Sequence, residues 1–580
     1  MSLPSTVPGV LGNTSLSSFD VIIIGSGAGG SMAARTLTVG GDKKVLILEA
    51  GPNYFVGLDD PALGKPVPLF SNDELKLSVR ELIDQDPFLE PRTFRTQESE
   101  TAQLTDDVNT LPRNVGGAAV HADMKYPRFN AVDFHLATEL QSNGRIYPDT
   151  NFADWPVSYD ELEPFYGEAE RLTGVQGVRG ANPFESARSS DFVMPPGLPM
   201  YVAEVLSAGA AAAQNGYHPF PYPSAVNSRP YRGRPACVDC GFCSGYGCPN
   251  NSKCSPAVTT LREALLTGNC QLRFNCMATK LLHADGKHVT GVEYMDGDGK
   301  LRQATADQYI VAASAIESAR LCLLSGIGND MVGRNLMFHF QTIAIGIYKQ
   351  RLHGERGRSV THGIADFRGV LPGGEAIDLD KRLGGIIEFG TNSEAISEAK
   401  NSVQALALTK VTGINLGLKQ LLLNSPLRAR LAALEMQAED APQLTNRIDL
   451  DPQLRDVFGL PVPRITYSNS GFELDARAFY MQKMLDIHRA AGADYGFIAP
   501  IDSPSQSRHI MGTLRMGTES ESSVCDAFGK FHDVDNLYCT DGGVFVTSSG
   551  YNPTLTIITL ALRAAANLVS PGHPERVIGR

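Results

Sequence analysis

The sequence predicts an α/β protein in which a Rossmann-type nucleotide-binding domain is joined to a second domain that contains a sheet. The chain has 580 residues, more than one hydrophobic core normally holds, so at least two domains are expected. Its first apolar run is followed by a glycine-rich turn, a helical segment and a second apolar run, the order of a nucleotide-binding unit. Residues 271–313 alternate strand-like runs with turn residues such as Asp298-Gly299, as a small antiparallel meander does.

Composition and charge narrow the functional classes. Apolar residues make up 42% and charged residues 20% of the chain, as in ordinary soluble globular proteins. The net charge of −12 disfavours a nucleic-acid partner, because such proteins normally carry a basic surface. No long uninterrupted apolar run is present, so we expect no membrane span. The first 18 residues lack the basic and apolar regions of a signal peptide, so a cytoplasmic location is expected.

The front of the chain carries a dinucleotide-binding fingerprint. Phe19–Ile24 predicts a buried strand, residues 31–37 predict a helix, and residues 44–48 predict a second strand. The turn between the first strand and the helix reads GSGAGG, over residues 25–30. This order of strand, glycines, helix and strand is far more specific than the glycines alone.

Each part of the fingerprint has a physical role. Gly25 allows a tight turn, Gly27 allows close approach of a pyrophosphate, and Gly30 allows the helix to pack on the strand. The phosphates would bind the exposed N–H groups of the helix N-terminus. Glu49 follows the second strand and is placed to accept hydrogen bonds from a ribose. FAD and NAD share this fingerprint, so these residues alone leave the cofactor open.

Further segments along the chain belong to one pattern. In chain order they are 20–30 (DVIIIGSGAGG), 48–51 (LEAG), 114–121 (NVGGAAVH), 126–129 (YPRF), 154–166 (DWPVSYDELEPFY), 312–321 (AASAIESARL), 332–336 (VGRNL), 509–517 (HIMGTLRMG) and 550–556 (GYNPTLT). Together they resemble the glucose–methanol–choline (GMC) flavoprotein oxidoreductases, and the last two are the most specific. The likeness is greatest to the branch of pyranose oxidase and the bacterial sugar dehydrogenases.

The resemblance implies FAD as the cofactor and the GMC fold, a Rossmann-type FAD-binding domain with a substrate domain of antiparallel sheet and helices. Residues 394–437 are helical in period, and we expect them to cover the substrate side. Both domains would be assembled from separate stretches of the chain. The FAD-binding domain would take residues 15–190 (with cap segments near 56–100), 236–334 and 505–575, and the substrate domain residues 191–235 and 335–504.

The resemblance also implies which residues contact FAD. His121 matches the position at which pyranose oxidase holds its flavin covalently, but its neighbours differ, so we expect contact without a covalent bond. Asp541 would lie near the pyrophosphate or ribityl chain, and a simple turn aspartate is the alternative. The expected contacts are Gly25, Gly27, Ala28, Gly30, Glu49, Ala50, Gly116, Gly117, His121, Ala312, Ser314, Asp541, Gly542, Pro553 and Thr554.

By the same resemblance, two C-terminal residues match the family's catalytic positions and are the expected catalytic pair. Oxidising an alcohol requires removal of a hydride, which a flavin accepts, and of a proton, which needs a base. His509 suits the base because an ordinary histidine has a pKa of about 6.5, and the reaction rate would then rise through an ionisation between about pH 6 and 8. Asn552 would orient the substrate oxygen. A core histidine and a turn residue are the alternatives for these positions.

The resemblance implies oxidation of an alcohol group, and the His/Asn combination, which is similar to that of pyranose oxidase and the bacterial sugar dehydrogenases, favours a sugar-like or other small polar substrate. The electron acceptor is left open. Oxidation of a bulky apolar alcohol, such as a sterol or fatty alcohol, is one alternative. An electron-transfer flavoprotein that carries an iron–sulfur cluster is another. The presence of both His509 and Asn552 disfavours the latter, because pure electron transfer needs no base.

Four cysteines lie close together in the sequence. Cys237, Cys240, Cys243 and Cys248 have the spacing C-x2-C-x2-C-x4-C-P, one residue longer than a bacterial ferredoxin motif. Some sugar dehydrogenases of the resembled family carry an iron–sulfur cluster in a comparable place. We favour structural thiols or disulfides, so no metal is expected, with an iron–sulfur cluster or zinc as the alternatives.

Overall fold

The computed structural model describes residues 9–69, 90–105, 112–145, 147–354, 356–371, 373–374, 383–390, 427–500 and 509–579. The strands, in chain order, are β1 Gly9–Gly12, β2 Phe19–Ile24, β3 Val45–Leu48, β4 Phe55–Val56, β5 Val67–Pro68, β6 Arg92–Arg95, β7 Gln103–Thr105, β8 Phe220–Pro221, β9 Cys270–Phe274, β10 Met277–His283, β11 Val289–Met295, β12 Leu301–Ala304, β13 Ala306–Val311, β14 Phe340–Ile347, β15 Val360–Ile364, β16 Gly385–Gly390, β17 Leu431–Ala438, β18 Arg447–Arg455, β19 Pro461–Thr466, β20 Tyr495–Ile498 and β21 Leu537–Cys539. The helices are α1 Ala28–Gly41, α2 Leu136–Ser142, α3 Tyr159–Thr173, α4 Tyr201–Ala212, α5 Thr260–Leu266, α6 Ala315–Ser325, α7 Gly471–Ala490 and α8 Thr554–Val569.

The first sheet is of the Rossmann type. Its strand order is β1-β9-β3-β2-β13-β21, with parallel pairing from β9 to β21 and the antiparallel strand β1 at one edge. Helix α1 packs against α5 and α8 beside this sheet. The last four residues of β2 and all of β3 are buried, as expected of parallel strands covered on both faces. The predicted strands and helix of the fingerprint are therefore present.

The second large sheet is antiparallel and faces the first across a cavity. Its order is β20-β14-β17-β16-β15-β8. Burial alternates along β14, which gives the strand one face toward the protein core and one toward the cavity. Helices α4 and α7 pack on this sheet, and the cluster between them includes Phe340, Leu434 and Met484. The α/β fold with a Rossmann-type domain and an antiparallel substrate sheet is confirmed.

Smaller sheets complete the architecture. Strands β10, β11 and β12 form an antiparallel meander, and the predicted turn is present, with Gly299 at a positive φ of 74°. Strand β9, predicted as part of that meander, lies instead in the Rossmann sheet between β1 and β3. A four-stranded sheet has the order β18-β19-β6-β7, and β4 pairs with β5. No helix within the described ranges is both long enough and apolar enough to span a bilayer.

One helical prediction is wrong where the structure tests it. Within the predicted helical stretch 394–437, residues 431–437 belong to β17, which lies between β14 and β16 in the middle of the substrate sheet. Ala and Leu favour helix locally, but backbone pairing on both edges decides the conformation here. Residues 394–426 lie outside the described residues.

Candidate active site

A cavity of about 1130 Å³ is lined by residues from both large sheets. Most of the predicted site residues line it. They are Gly25, Gly27, Ala28, Glu49, Ala50, Gly117, His121, Ala312, Ser314, His509, Asp541, Gly542, Asn552, Pro553 and Thr554.

Gly30 and Gly116 were predicted to contact the cofactor but do not line this cavity. A Cβ on Gly30 would lie 2.1 Å from the carbonyl oxygen of Gly25, so glycine is required there for close packing. Gly116 has a positive φ of 94°, and its N–H donates to Oγ of Ser26. Both residues shape the backbone behind the cavity.

The glycine-rich turn leaves its backbone open toward the cavity. Gly25 has a positive φ of 104°, and a Cβ there would meet the carbonyl oxygen of Ala312 at 2.3 Å. The nearest atom to a Cβ placed on Gly27 would be Cα of Gly117, at 4.0 Å. Helix α1 begins at Ala28, and among the described residues no side chain caps its N-terminus. The N–H groups of this turn therefore suit an anionic ligand such as a pyrophosphate.

Two other helices begin at the same cavity. Helix α6 follows Ser314 and helix α8 follows Pro553, and in the described structure neither start is capped by a side chain. Both residues line the cavity. The helices α1, α6 and α8 thus all begin at the same cavity. The partial positive charge at each N-terminus favours a ligand that carries negative charge.

Glu49 lies at the end of β3, and its carboxylate links this strand to the glycine-rich turn by hydrogen bonds. Its Oε2 accepts hydrogen bonds from the backbone N–H and Oγ of Ser26 at 3.0 and 2.6 Å. Its Oε1 accepts from the N–H of Gly51 at 2.8 Å. Burial raises the pKa of Glu49, and these hydrogen bonds oppose that shift. An ionised carboxylate has about four lone-pair sites, so acceptors remain for the hydroxyls of a ribose.

Asp541 is a turn aspartate, as one interpretation of the sequence held, and it also lines the cavity. Its Oδ1 accepts from the N–H of Gly543 at 2.7 Å, so it caps the short 3-10 helix Gly542–Val544. Its Oδ2 accepts from Oγ of Ser318 at 2.5 Å. It also lines the cavity beside Gly542. Taken with the glycine turn, the helix N-termini and Glu49, this set of donors and acceptors fits a flavin dinucleotide.

His509 forms a close pair with a histidine that the sequence did not single out. Nδ1 of His509 lies 2.8 Å from Nδ1 of His339, and the rings meet edge to face. Nε2 of His339 lies 2.9 Å from the carbonyl oxygen of Ser548. Burial lowers the pKa of His339 to about 4, and burial, His339 and Lys125 lower that of His509 well below 6.5. Both rings are therefore neutral, and each carries one proton.

This geometry fixes the tautomer of both rings. A carbonyl oxygen can only accept, so the single proton of His339 lies on Nε2. Nδ1 of His339 is then an acceptor, and the proton of His509 lies on Nδ1. Nε2 of His509 is left unprotonated and basic, which is the form that a general base requires.

Asn552 is held at both ends of its amide. Tyr222 donates its hydroxyl proton to Oδ1 at 2.5 Å, and Nδ2 donates to Oε1 of Glu388 at 3.0 Å. One N–H of Nδ2 is left to donate to an oxygen in the cavity. Asn552 and His509 line the same cavity, so the arrangement offers a base and a hydrogen-bond donor together.

Charged side chains form a network around Glu388, the residue that accepts a hydrogen bond from Asn552. Nζ of Lys125 forms ion pairs with Glu388 and, at 3.2 Å, with Asp123. Burial raises the pKa of Glu388 to about 7, with Glu435 adding to the shift and Lys125 opposing it. Sequence reasoning missed Glu388 and Glu435. The available signal was an acidic residue inside each of two apolar strands, β16 and β17.

The cysteine segment lies next to the part of the cavity wall that contains His121. All ten cysteines are free thiols, and Cys240 is exposed whereas Cys243 is buried. Nζ of Lys253 donates to the carbonyl oxygens of Ala122, Cys243 and Tyr246 at 2.8, 2.9 and 2.7 Å. Among the residues that the structure describes, no group of three or more His, Cys, Asp or Glu side chains is placed to hold a metal.

The fold and the cavity together describe an α/β protein whose glycine-rich turn and helix N-termini suit a dinucleotide, with a neutral histidine pair beside the same cavity. Comparison with known proteins identifies the family. Sequence models described as GMC oxidoreductase match residues 210–341 and 442–561. The gluconate 2-dehydrogenase flavoprotein of Pantoea cypripedii is 30% identical over 607 aligned positions, covering 96% of this chain and 94% of that protein. The chain belongs to the GMC oxidoreductase family.

Two further comparisons agree. The 2-methyl-1,2-propanediol dehydrogenase of Mycolicibacterium austroafricanum is 28% identical, and the match covers 95% of both chains. The crystal structure of pyridoxine 4-oxidase from Mesorbium loti has a TM-score of 0.61 at 16% identity, over 94% of this chain and 98% of that one, which shows the shared fold. The protein is therefore an FAD-dependent enzyme that oxidises alcohol groups, and the family, cofactor and activity predicted from the sequence are confirmed.

Proposed function

We propose that this enzyme oxidises the carbinol group of a small polyhydroxy alcohol, with His509 as the general base and Asn552 as the residue that orients the substrate oxygen. The observation that carries the proposal is the contact between Nδ1 of His509 and Nδ1 of His339, whose Nε2 in turn contacts the carbonyl oxygen of Ser548. It follows from this contact that Nε2 of His509 carries no proton. FAD bound in the cavity supplies the hydride acceptor. His509 takes the hydroxyl proton, and the remaining N–H of Asn552 donates to the same oxygen.

The cavity wall that the substrate sheet forms supports a polar substrate. Near the catalytic pair the wall carries amide and carboxylate side chains, namely Gln341, Glu388, Glu435 and Gln437. Along β14 the side chains that line the cavity change from Gln341 to Ile343, Ile345 and Ile347 with distance from His339. The reacting end of the pocket is therefore the polar end. The relatives named for gluconate and for a propanediol also act on small polar alcohols.

The experiment is anaerobic mixing of the yellow holoenzyme with a panel of alcohols. Polyols and sugars should bleach the oxidised flavin, whereas sterols and long-chain fatty alcohols should not. Bleaching only by the apolar set would reverse the proposed substrate preference. No bleaching by any alcohol, with full reduction by dithionite, would contradict alcohol oxidation by this enzyme. Reoxidation of the bleached sample by air or by an artificial acceptor then identifies the acceptor class.

Two secondary points belong to the same proposal. We hold that the flavin is bound without a covalent link at His121 and that the cysteine segment carries no iron–sulfur cluster. A cytoplasmic location is also proposed, and the ten free thiols are compatible with a reducing compartment. Cell fractionation against marker enzymes tests the location.

A further inference from the structure

Two carboxylates lie directly opposite each other in the cavity wall that the substrate sheet forms. Glu388 of β16 and Glu435 of β17 are register partners in the antiparallel sheet, and both line the cavity. Like charges at directly opposed positions destabilise a sheet. A pair of this kind in the wall of a pocket therefore calls for a functional explanation.

The two carboxylates differ in how their charge is balanced. Glu388 is buried and shares Lys125 with Asp123. Glu435 is half-buried, and across the described part of the chain it forms no ion pair. Its hydrogen bonds come from neutral amides and both go to Oε1, from Nε2 of Gln341 at 2.6 Å and from Nε2 of Gln437 at 3.1 Å.

The hydrogen bonds of Glu435 fix its orientation without cancelling its charge. Gln341 and Gln437 lie on β14 and β17, so the carboxylate is held by side chains of its own sheet. A carboxylate offers several acceptor sites and no donor when ionised. The ligand groups that match it are hydroxyls and ammonium groups, whereas a carboxylate or phosphate in its place would meet like charge.

We propose that Glu435 determines substrate class: it binds hydroxyl or ammonium donors of a neutral or amino-bearing polyol and excludes polyols that carry an acid group. This inference rests on the proposed function and adds to it the charge of the substrate. Gln341 and Gln437 act as positioning residues for the carboxylate.

A matched set of three compounds tests the proposal. Glucitol, glucamine (1-amino-1-deoxyglucitol) and gluconate share one open six-carbon polyol chain and differ only at C1, which is neutral, cationic or anionic. Each can be titrated anaerobically into holoenzyme while the flavin spectrum and its bleaching are followed. The measurements are made below the pKa of the amine and at equal ionic strength. In the wild type we expect gluconate to bind at least about tenfold more weakly than the other two.

The substitution Glu435→Gln keeps the shape of the side chain and removes its charge. We expect this variant to bind gluconate about tenfold or more tightly than the wild type does, and to bind glucamine more weakly by a similar factor. Glu521→Gln is the control, because it removes the same charge from an exposed position outside the cavity. FAD content and the oxidised flavin spectrum report whether each variant is folded.

Each outcome decides the matter. Equal binding of gluconate and glucitol by the wild type would overturn the proposal, and so would an unchanged preference in Glu435→Gln. If none of the three compounds alters the flavin spectrum, the pocket does not recognise polyols and the assigned class is wrong. These failures are distinct from failure of alcohol oxidation, which would appear as a flavin that no alcohol in the wider panel can bleach.

Discussion

Nδ1 of His509 lies 2.8 Å from Nδ1 of His339, so one of the two neutral rings must donate to the other. The carbonyl of Ser548 decides which ring donates, because it takes the only proton of His339. In the proposed mechanism His339 acts through His509 and is a positioning residue rather than a catalytic one.

Replacing His339 should disturb the base without removing it. His339→Leu removes the acceptor for Nδ1–H of His509 and should slow flavin reduction by about 10- to 100-fold, less than loss of the base itself. His339→Asn places an amide oxygen near the former Nδ1 and should restore much of the rate. Nitrogen-15 NMR of histidine-labelled holoenzyme should show His509 protonated at Nδ1. A wild-type His509 protonated at Nε2 would contradict the assignment.

His509→Ala should lower the rate of flavin reduction by about 10²–10⁴-fold, because general-base catalysis typically contributes that much. FAD should remain bound, since the glycine turn and the helix N-termini hold its phosphates. Asn552→Ala should lose less, because it orients the oxygen and accepts no proton. Stopped-flow reduction measures both variants, and a His509→Ala enzyme as fast as wild type would remove this residue from the mechanism.

The pH dependence should differ from that of an ordinary histidine base. Burial lowers the pKa of His509 well below 6.5, so the base is already unprotonated between about pH 6 and 8 and contributes no ionisation there. Glu388, which faces Lys125, Glu435, Tyr222 and Asn552, has a pKa raised to about 7 by burial. Below that pH it is neutral, and above it the carboxylate holds the amide of Asn552 more firmly.

The rate of flavin reduction should therefore rise with pH through an ionisation near 7 that belongs to Glu388. Glu388→Gln should flatten the profile. A profile that keeps the same ionisation in Glu388→Gln would show that another group titrates there.

The flavin should be released when the holoenzyme is precipitated with acid. His121 is buried at the cavity wall, directly after the 3-10 helix Gly117–Val120. We expect contact between this side chain and FAD without a covalent bond. Yellow colour that stays in the washed precipitate would contradict this, and peptide mapping would then identify the attachment site.

The cysteine segment should contain thiols and no iron. Burial raises the pKa of Cys237 to about 11 and that of Cys243 to about 12, so both are protonated at neutral pH. A thiol reagent should modify the exposed Cys240 first, and all ten cysteines should react after unfolding. Analysis of anaerobically purified protein for iron and acid-labile sulfide provides the direct test, and near-stoichiometric iron would overturn this expectation.

Features determined by local sequence could be predicted. The turn after β2 requires glycine at a positive φ, and Glu49 follows β3 at the distance from the turn that a βαβ unit imposes. His509 and Asn552 were found because each lies in a distinctive short segment. The glycine-rich turn and Glu49 depend on local backbone geometry, whereas His509 and Asn552 were recognisable from their segments although their contacts come from distant parts of the chain.

Features that depend on pairing between distant strands could not be predicted. Glu388 and Glu435 become neighbours only through the register of β16 and β17, and His339 meets His509 across 170 positions of the chain. Strand pairing also explains why residues 431–438 form β17 although their composition favours a helix. The shifted pKa of His509 likewise follows from burial that the motif does not encode.

The strand order of the Rossmann sheet also constrains when this domain can fold during synthesis. Helix α1 packs against α8, and the sheet takes its last strand from Leu537–Cys539, so the first and last parts of the chain share one domain. At translation rates of about 5–20 residues per second, the strand Leu537–Cys539 is synthesised on the order of half a minute or more after the N-terminal strands β2 and β3. The Rossmann sheet is therefore incomplete until Leu537–Cys539 has been synthesised, and until then the apolar faces of β2 and β3 are exposed to aggregation.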